Sequence, residues 1–317
     1  MPVVRSQFVP PRFLGGGHAQ TILAALLPRR VGLAFQRERL ELADGDFLDL
    51  DWARSGRPRL AILLHGLEGS SGNACIRGMA AALIAAGWDT LAWNFRGCSG
   101  ELNRLARFYH SGETGDLATV IGHAAARYSR VALIGFSLGG NVTLKYLGEA
   151  PPHPAVVAGV GISAPVDLAA SARVLDERWG NGIYLRHFMK SLVAKVRAKA
   201  PRFPLQLDVT GAEKIRTFAE FDGRYTAAIH GFRDAADYWK KSSARQFLAG
   251  ITVPTLLLNA RNDPFLAPEC FPYPEAEANP ALFLETPESG GHVGFLDSRL
   301  RPWLERRAVD FLTAHAG

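Results

Sequence analysis

The 317-residue sequence has only three cysteines, Cys75, Cys98 and Cys270. They are far apart and form no C-x-x-C pair, so they fit neither a disulfide framework nor a zinc site. The sequence therefore predicts a protein of a reducing compartment without a structural metal.

Long hydrophobic runs are also missing. The apolar stretches 80–87 and 155–164 stop well short of the roughly 18 to 20 residues that a membrane-spanning helix needs. The first 13 residues contain Arg5 and Arg12 but no continuous apolar region followed by a small-residue cleavage site, so no secretory signal is predicted. We therefore expect a cytoplasmic protein that does not span a bilayer.

Acidic residues are scarce in one stretch, since residues 171–216 hold ten Lys and Arg against four Asp and Glu. Nucleic acid binding is not predicted, because stacking aromatics at regular spacing and nucleic-acid motifs are both missing. A solvated helical face or peripheral contact with an anionic membrane fits such a patch better.

Short apolar segments bounded by turn signals alternate with segments of helical periodicity, which is typical of a mostly parallel sheet covered by helices on both faces. The sequence therefore predicts an α/β protein with an eight-stranded sheet. The turn Asp44-Gly45 predicts an antiparallel hairpin between the first two strands. Strands are predicted over residues 37–42, 47–52, 60–65, 89–95, 131–136, 156–163, 253–259 and 282–285. Helices are predicted over residues 74–86, 114–126, 138–147, 235–248 and 300–314.

Residues 168–234, which follow the sixth predicted strand, contain no strong strand signal. Their apolar residues recur at helical spacing, so we predict an inserted helical lid, here called the lid segment. A core domain would then comprise residues 1–167 and 235–317. The apolar positions that would line one helix face are Leu185, Phe188, Leu192 and Val196. The basic residues predicted to project mainly from the other faces are Arg186, Lys190, Lys195, Arg197 and Lys199.

A predicted strand-to-helix turn carries the sequence Gly135-Phe136-Ser137-Leu138-Gly139. Such a turn pushes the serine hydroxyl out of the sheet, and the two glycines let neighbouring backbone approach the strained position. Ser137 is therefore the predicted catalytic nucleophile.

A serine hydroxyl needs a base to take its proton and a carboxylate to hold that base in one tautomer. Asp263 follows the predicted strand 253–259, and His292 lies in a glycine loop before the last predicted helix. The order serine, acid, histidine, each just beyond a strand, is that of the α/β-hydrolase fold. We therefore predict a triad of Ser137, Asp263 and His292.

The negative oxygen that forms during ester cleavage needs two backbone N–H donors, one after the nucleophile and one after the third strand. Leu138 directly follows Ser137, and Leu67 lies in the glycine-containing loop 65–69. Leu67 and Leu138 are therefore the predicted oxyanion-hole residues.

Several longer motifs resemble those of the YheT-like branch of the α/β-hydrolases, which is related to eukaryotic abhydrolase-domain lipases and esterases. They extend over nearly the whole chain: Gly17-His18-Ala19-Gln20-Thr21, His65-Gly66-Leu67-Glu68-Gly69-Ser70, Asn94-Phe95-Arg96-Gly97-Cys98-Ser99-Gly100, Tyr109-His110-Ser111-Gly112-Glu113-Thr114 and Asn262-Asp263-Pro264-Phe265. The resemblance implies the α/β-hydrolase fold and carboxylesterase or acylglycerol lipase activity. For five motif residues a structural role is favoured over a catalytic one: His18, Arg96, His110, Ser111 and Glu113.

These observations predict a serine hydrolase of carboxylic esters (EC 3.1.1.-) acting on short- to medium-chain acyl esters or monoacylglycerols. It needs no metal and no organic cofactor, because the triad and the oxyanion donors supply proton transfer and charge stabilisation. Two alternatives stay open: acyl transfer to an alcohol or thiol by the same triad, and ligand binding on a silent hydrolase scaffold. The physiological substrate, its particular acyl chain length and the oligomeric state are not predicted.

Two roles fit the lid segment. Its apolar face could cover an acyl pocket above Ser137, with Phe188 and Leu192 as substrate-binding residues, while its basic faces meet anionic lipid or solvent. Alternatively, the apolar face only packs on the core and the charges are merely solvated.

Overall fold

The computed structural model describes residues 3–27 and 32–316. The outer ends of the predicted core domain, residues 1 and 317, lie outside these ranges. The strands of the described residues are β1 (Val3–Val4), β2 (Gln36–Glu41), β3 (Phe47–Ala53), β4 (Arg59–Leu64), β5 (Asp89–Asn94), β6 (Arg130–Phe136), β7 (Val156–Ile162), β8 (Thr255–Leu258) and β9 (Leu282–Glu285).

These strands form a single sheet with the order β1-β9-β8-β7-β6-β4-β5-β3-β2. β3 pairs antiparallel with β2 and β5, and the other neighbours pair parallel. All eight predicted strands are confirmed within two residues at each end, as is the hairpin of β2 and β3. The ninth strand, β1, was not predicted, because two residues are too few to show a period.

The α-helices of the described residues are α1 (Gly17–Leu26), α2 (Ala74–Ala85), α3 (Thr114–Ala125), α4 (Leu138–Glu149), α5 (Leu168–Glu177), α6 (Gly182–Lys199), α7 (Phe218–Phe221), α8 (Ala227–His230), α9 (Ala235–Ser242), α10 (Tyr273–Ala278) and α11 (Trp303–His315). The predicted helix 235–248 is shorter than expected, because α9 ends at Ser242 and a 3-10 turn follows. α1 and α10 were not predicted. Within the described residues, no helix combines the length and the apolar character needed to cross a bilayer.

The central strands are buried on both faces, which explains their nearly continuous apolar sequences. In β4, Leu60, Ile62 and Leu64 belong to one hydrophobic cluster, with residues of α3 and α4. The alternate residues Ala61 and Leu63 belong to a second cluster, with residues of α2 and α11. The sheet therefore lies between two helical layers, and the carboxyl ends of its parallel strands meet at one edge.

The lid segment contains α5, α6, α7 and α8, and a single π-helical turn, Asp222–Thr226, joins the last two. α9 packs against α5 and α8 although it was assigned to the core domain. The exposed positions of Arg186, Lys190 and Arg197 agree with the prediction.

The prediction for Lys195 and Lys199 was wrong, because both point inward. Lys199 is fully buried, and its ammonium donates to the Asn103 side chain at 2.8 Å and to the Arg107 carbonyl at 3.0 Å. Lys195 forms an ion pair with Glu68. The two lysines are four residues apart and lie on the same side of α6 as Leu192, where carboxylate and carbonyl groups from distant parts of the chain receive them.

Candidate active site

Ser137 occupies the turn between β6 and α4, with φ of 53° and ψ of −118°. A non-glycine residue at positive φ is strained, and strain of this kind concentrates at functional sites. The glycines on either side are required by close packing. A Cβ at Gly135 would lie 2.1 Å from the Gly139 carbonyl oxygen, and one at Gly139 would lie 2.5 Å from the Leu64 carbonyl oxygen.

The structure brings the three predicted triad residues together in a hydrogen-bonded row. The Oγ of Ser137 is 2.9 Å from Nε2 of His292, and Nδ1 of His292 is 2.8 Å from Oδ2 of Asp263. The other carboxylate oxygen of Asp263 accepts the N–H of Phe265 at 2.8 Å. Asp263 is buried, so its carboxylate fixes the tautomer in which Nδ1 carries the proton and Nε2 accepts from the serine.

The backbone around His292 is held by two hydroxyl groups that sequence reasoning missed. The N–H of His292 donates to Oγ1 of Thr21 at 2.8 Å, and the N–H of Val293 donates to Oγ of Ser163 at 2.9 Å. Thr21 lies in α1, 271 residues away along the chain. The only signal for it was the His-x-Gln-Thr motif near the start of the sequence.

The two predicted oxyanion donors lie near Ser137. Leu138 is the first residue of α4, and Leu67 lies in the loop 65–69 after β4, here called the oxyanion loop. A Cβ on Gly66 would lie 3.2 Å from Cβ of Ser137, so the oxyanion loop packs directly against the nucleophile. Within the described residues, no hydrogen-bond acceptor takes the N–H of Leu67 or of Leu138. Both are therefore free to bind a negative oxygen.

His65 fixes the start of the oxyanion loop. Its ring is fully buried, its Nδ1–H donates to the Gly66 carbonyl at 2.7 Å, and its Nε2 accepts the Phe95 N–H at 3.2 Å. Burial lowers the pKa of His65 to about 4, because water no longer solvates the charged ring. The neutral imidazole thus ties the oxyanion loop to the end of β5.

A cavity opens above Ser137 between the core and the lid segment. Phe188, Leu192 and Val196 of α6 line it together with Ser137 and His292. The fourth apolar position named from the sequence, Leu185, does not line this cavity and packs elsewhere in the core. The four apolar residues predicted to share one helix face therefore have two environments: three of them face the cavity, and Leu185 packs in the core.

Arg96 is the centre of a buried ion network. Its guanidinium donates twice to Asp116, each at 2.7 Å, and also contacts Asp44 at 2.8 Å and Asp46 at 3.0 Å. These contacts join the loop after β5 to α3 and to the β2–β3 turn. They give Arg96 a structural role, as the sequence favoured.

Two further motif residues, His18 and Ser111, contact side chains of helices near the candidate active site. The ring of His18 stacks on Tyr184 with a centroid separation of 5.7 Å. The backbone of Ser111 accepts from Asn141 and donates to Tyr238. Ser111 also lines the cavity.

His110, Glu113 and His230 form a cluster beside the cavity, with one potential metal-ligating atom from each lying within 4.8 Å of the others. Burial lowers the pKa of His110 to about 3 and of His230 to about 2, so both rings are neutral. The Glu113 carboxylate already receives the Arg107 guanidinium, and Nδ1 of His110 accepts the Gly112 N–H. A cation here would compete with Arg107, so we assign no metal to the cluster.

Comparison with known proteins agrees with this architecture. A family model described as alpha/beta hydrolase fold matches residues 61–298. The Escherichia coli (strain K12) protein named "Putative esterase YheT" is 37% identical over 98% of this chain and 94% of its own length. Phospholipase ABHD3 of Homo sapiens is 28% identical over 99% of this chain and 80% of its own length.

A solved structure, that of the Pyrococcus furiosus esterase Pf2001, shares the fold. It has a TM-score of 0.63 at 19% identity and covers 99% of this chain and all of its own. The family match and the 37% identity over nearly the full length of both chains show to which family this chain belongs. The chain belongs to the α/β-hydrolase family, in the branch that contains YheT.

Proposed function

We propose that this protein hydrolyses carboxylic esters through an acyl-enzyme on Ser137. The observation that carries the proposal is the row of hydrogen bonds from Ser137 through His292 to Asp263 in the wall of a largely apolar cavity. Relatives named as an esterase and as a phospholipase support ester hydrolysis in general.

In the proposed reaction, Oγ of Ser137 attacks the ester carbonyl carbon while Nε2 of His292 takes the hydroxyl proton. Asp263 accepts the Nδ1–H and stabilises the imidazolium that forms. The N–H groups of Leu67 and Leu138 bind the oxyanion of the tetrahedral intermediate. When that intermediate collapses, the C–O bond to the alcohol breaks and His292 gives the alcohol its proton. A water molecule, deprotonated by His292, then hydrolyses the acyl-enzyme.

We propose that residues 168–234 act as a lid on a core of residues 1–167 and 235–317, and that the acyl chain lies against the lid. Phe188 supports this role, because its ring packs against those of Phe218 and Phe265 at the cavity wall, with centroids 6.0 Å apart in both pairs. Leu192 lies one helical turn further along the same wall. Such a wall suits short- to medium-chain acyl esters or monoacylglycerols.

Labelling with a fluorophosphonate tests the nucleophile directly. We expect the wild-type protein to be labelled and the Ser137→Ala variant to be unlabelled. Ser111→Ala is the matched control, because Ser111 lines the same cavity without contacting His292. Labelling that survives in Ser137→Ala would refute the assignment.

Turnover of p-nitrophenyl esters and monoacylglycerols of graded chain length then tests the reaction. Product analysis with and without an added alcohol separates hydrolysis from acyl transfer by the same triad. Free fatty acid is the expected main product, whereas a new ester as the main product would identify an acyltransferase.

A further inference from the structure

An exposed apolar surface lies beside the candidate active site and is built from two elements. Trp179, in the turn between α5 and α6, is 96% exposed, and Ile183, in the first turn of α6, is 66% exposed. On α1, Ile22 and Leu26 are exposed and lie four residues apart, so they share one side of the helix. Trp179, Ile183, Ile22 and Leu26 are here called the rim patch.

His18 connects the two halves of the rim patch. It lies four residues before Ile22 on the same side of α1, and its Nδ1 is 3.1 Å from the hydroxyl of Tyr184, the neighbour of Ile183. A Cβ built on Gly180 would lie 3.3 Å from Nε2 of His18. The turn that carries Trp179 therefore packs against α1, and the two halves of the rim patch lie on neighbouring elements.

Two paths of contact join the rim patch to the catalytic histidine. Tyr184 meets the ring of Phe265 edge-on at 4.8 Å, and Phe265 lies 4.1 Å from the ring of His292. In α1, Thr21 precedes Ile22 and accepts the backbone N–H of His292. A molecule that binds to the rim patch therefore lies close to His292.

Among residues 177–190, the exposed side chains with a formal charge are three cations, Arg178, Arg186 and Lys190, and one carboxylate, Glu177. Arg178, Arg186 and Lys190 are exposed, and no carboxylate of residues 3–27 or 32–316 forms an ion pair with any of them. The first acidic residue of the sequence is Glu38, so α1 and the residues before it contribute no negative charge. An exposed tryptophan beside unpaired cations is typical of a protein surface that meets anionic lipid.

We propose that the rim patch docks this protein on an anionic phospholipid surface. The four apolar side chains enter the headgroup region, and Arg178, Arg186 and Lys190 contact lipid phosphates. A second copy of the chain fits less well, because a two-fold contact would bring the same cations together. This inference deepens the proposed function and rests on it, because docking would bring a lipid ester to Ser137. Docking itself is measured without turnover.

Vesicle flotation together with tryptophan fluorescence tests the proposal on the full chain. Trp179 reports docking directly, because the other five tryptophans are buried or half-buried. With vesicles of phosphatidylcholine and phosphatidylglycerol in equal amounts, we expect flotation and a blue shift of the emission. With phosphatidylcholine alone, binding should be much weaker.

Variants separate the apolar and the charged contributions. Trp179→Ser combined with Ile183→Ser should lower vesicle affinity by about tenfold or more. Arg186→Gln and Lys190→Gln should each lower it by about fivefold, and only on the anionic vesicles. Leu205→Ser is the matched control, because Leu205 is 97% exposed but lies beyond the other end of α6.

The proposal is wrong if the protein neither floats nor shifts its emission, or if the rim-patch variant binds as well as Leu205→Ser. It is also wrong if the wild-type protein dimerises without vesicles and the rim-patch variant is monomeric, because the occupant would then be a second copy. Hydrolysis of a soluble short-chain ester should be unchanged in the rim-patch variant. A wild-type protein that docks but hydrolyses nothing would refute the proposed function and leave the docking surface standing.

Discussion

Lys195, in α6 of the lid segment, forms a buried ion pair with Glu68 in the oxyanion loop. The same carboxylate accepts the hydroxyl groups of Tyr109, at 2.9 Å, and of Ser191. Glu68 has a positive φ of 54°, and it directly follows the predicted oxyanion donor Leu67. Because loop and helix are fixed to each other by a buried charge pair, α6 positions the N–H of Leu67 as well as covering the cavity.

This relationship predicts that Lys195→Met lowers kcat by about tenfold or more and changes KM little, since a displaced oxyanion donor weakens binding of the transition state. Affinity for a boronic acid, which mimics the tetrahedral intermediate, should fall in parallel. Steady-state kinetics and inhibitor titration measure both quantities.

Lys190→Met is the control for Lys195→Met, because Lys190 is on the same helix but exposed. The double variant Glu68→Gln, Lys195→Met should be more stable than Lys195→Met alone, which leaves a buried carboxylate without its cation. A Lys195→Met protein that melts earlier but keeps wild-type kcat and inhibitor affinity would show that the pair only stabilises the fold.

Much of the fold was predictable because its signals are local. Residues 60–64 of β4 form an unbroken apolar run next to a glycine-containing loop, and the residues around Ser137 combine a buried strand, two glycines and an apolar helix. The positions of Asp263 and His292 after later strands could be predicted in the same way. Parallel strands bring their carboxyl ends to one edge, so these three local signals also predicted one shared location.

The supporting contacts could not be predicted because their partners are distant in sequence. Helical periodicity assigned Lys195 to an outer face, but Glu68, 127 residues away, supplies the charge that draws it inward. α1 begins at the last of three consecutive glycines and has no charged residue except a histidine, so nothing local marked it as a helix. Its role depends on a contact 271 residues away along the chain, because Thr21 accepts the N–H of His292.

Asp263→Asn should lower kcat by up to about 10⁴-fold, because an amide no longer fixes the histidine tautomer that accepts the serine proton. Ester turnover measures the loss, and circular dichroism checks that the fold is retained. Glu288→Gln is the control, since Glu288 is exposed and its carboxylate pairs with Arg261. Near wild-type turnover in Asp263→Asn would refute the assignment of Asp263 as the acid of the triad.

Phe188→Ala and Leu192→Ala should lower kcat/KM for medium-chain esters more than for acetate esters, because the cavity wall loses contact with the acyl chain. Leu185→Ala is the matched control for Leu192→Ala, since the two leucines are similarly buried on the same helix and Leu185 does not line the cavity. Replacing either buried leucine by alanine also costs about 2 to 5 kcal/mol of unfolding free energy. If all three variants lose stability with unchanged chain-length selectivity, these residues have a packing role only.

Thr21→Val should lower kcat by roughly tenfold, because the hydroxyl that accepts the His292 N–H is removed and the loop around the base loses an anchor. Thr21→Ser keeps the hydroxyl and should restore most of the activity. Measuring kcat of both variants distinguishes this role from packing of the methyl group. If only packing mattered, Thr21→Val would be more active than Thr21→Ser.

The buried ring of His65 makes stability depend on pH. Its pKa falls from 6.5 in the unfolded chain to about 4 in the folded protein, because burial excludes water from the charged form. Between these values the unfolded chain binds a proton that the folded chain does not, so the free energy of unfolding falls as pH falls from 6.5 to 4 and levels off below. The loss is about 1.4 kcal/mol per pH unit, or about 3 kcal/mol in total.

Urea unfolding at several pH values between 7 and 4 measures this slope. His65→Asn keeps a donor for the Gly66 carbonyl and removes the titrating ring, so its slope should be smaller than that of the wild type by about 1.4 kcal/mol per pH unit. His187→Gln, a change at an exposed histidine, should leave the slope as it is. If His65→Asn and the wild type instead lose stability in parallel, His65 takes up its proton as readily in the folded protein as in the unfolded chain. A neutral His65 ring would then not be what ties the oxyanion loop to β5.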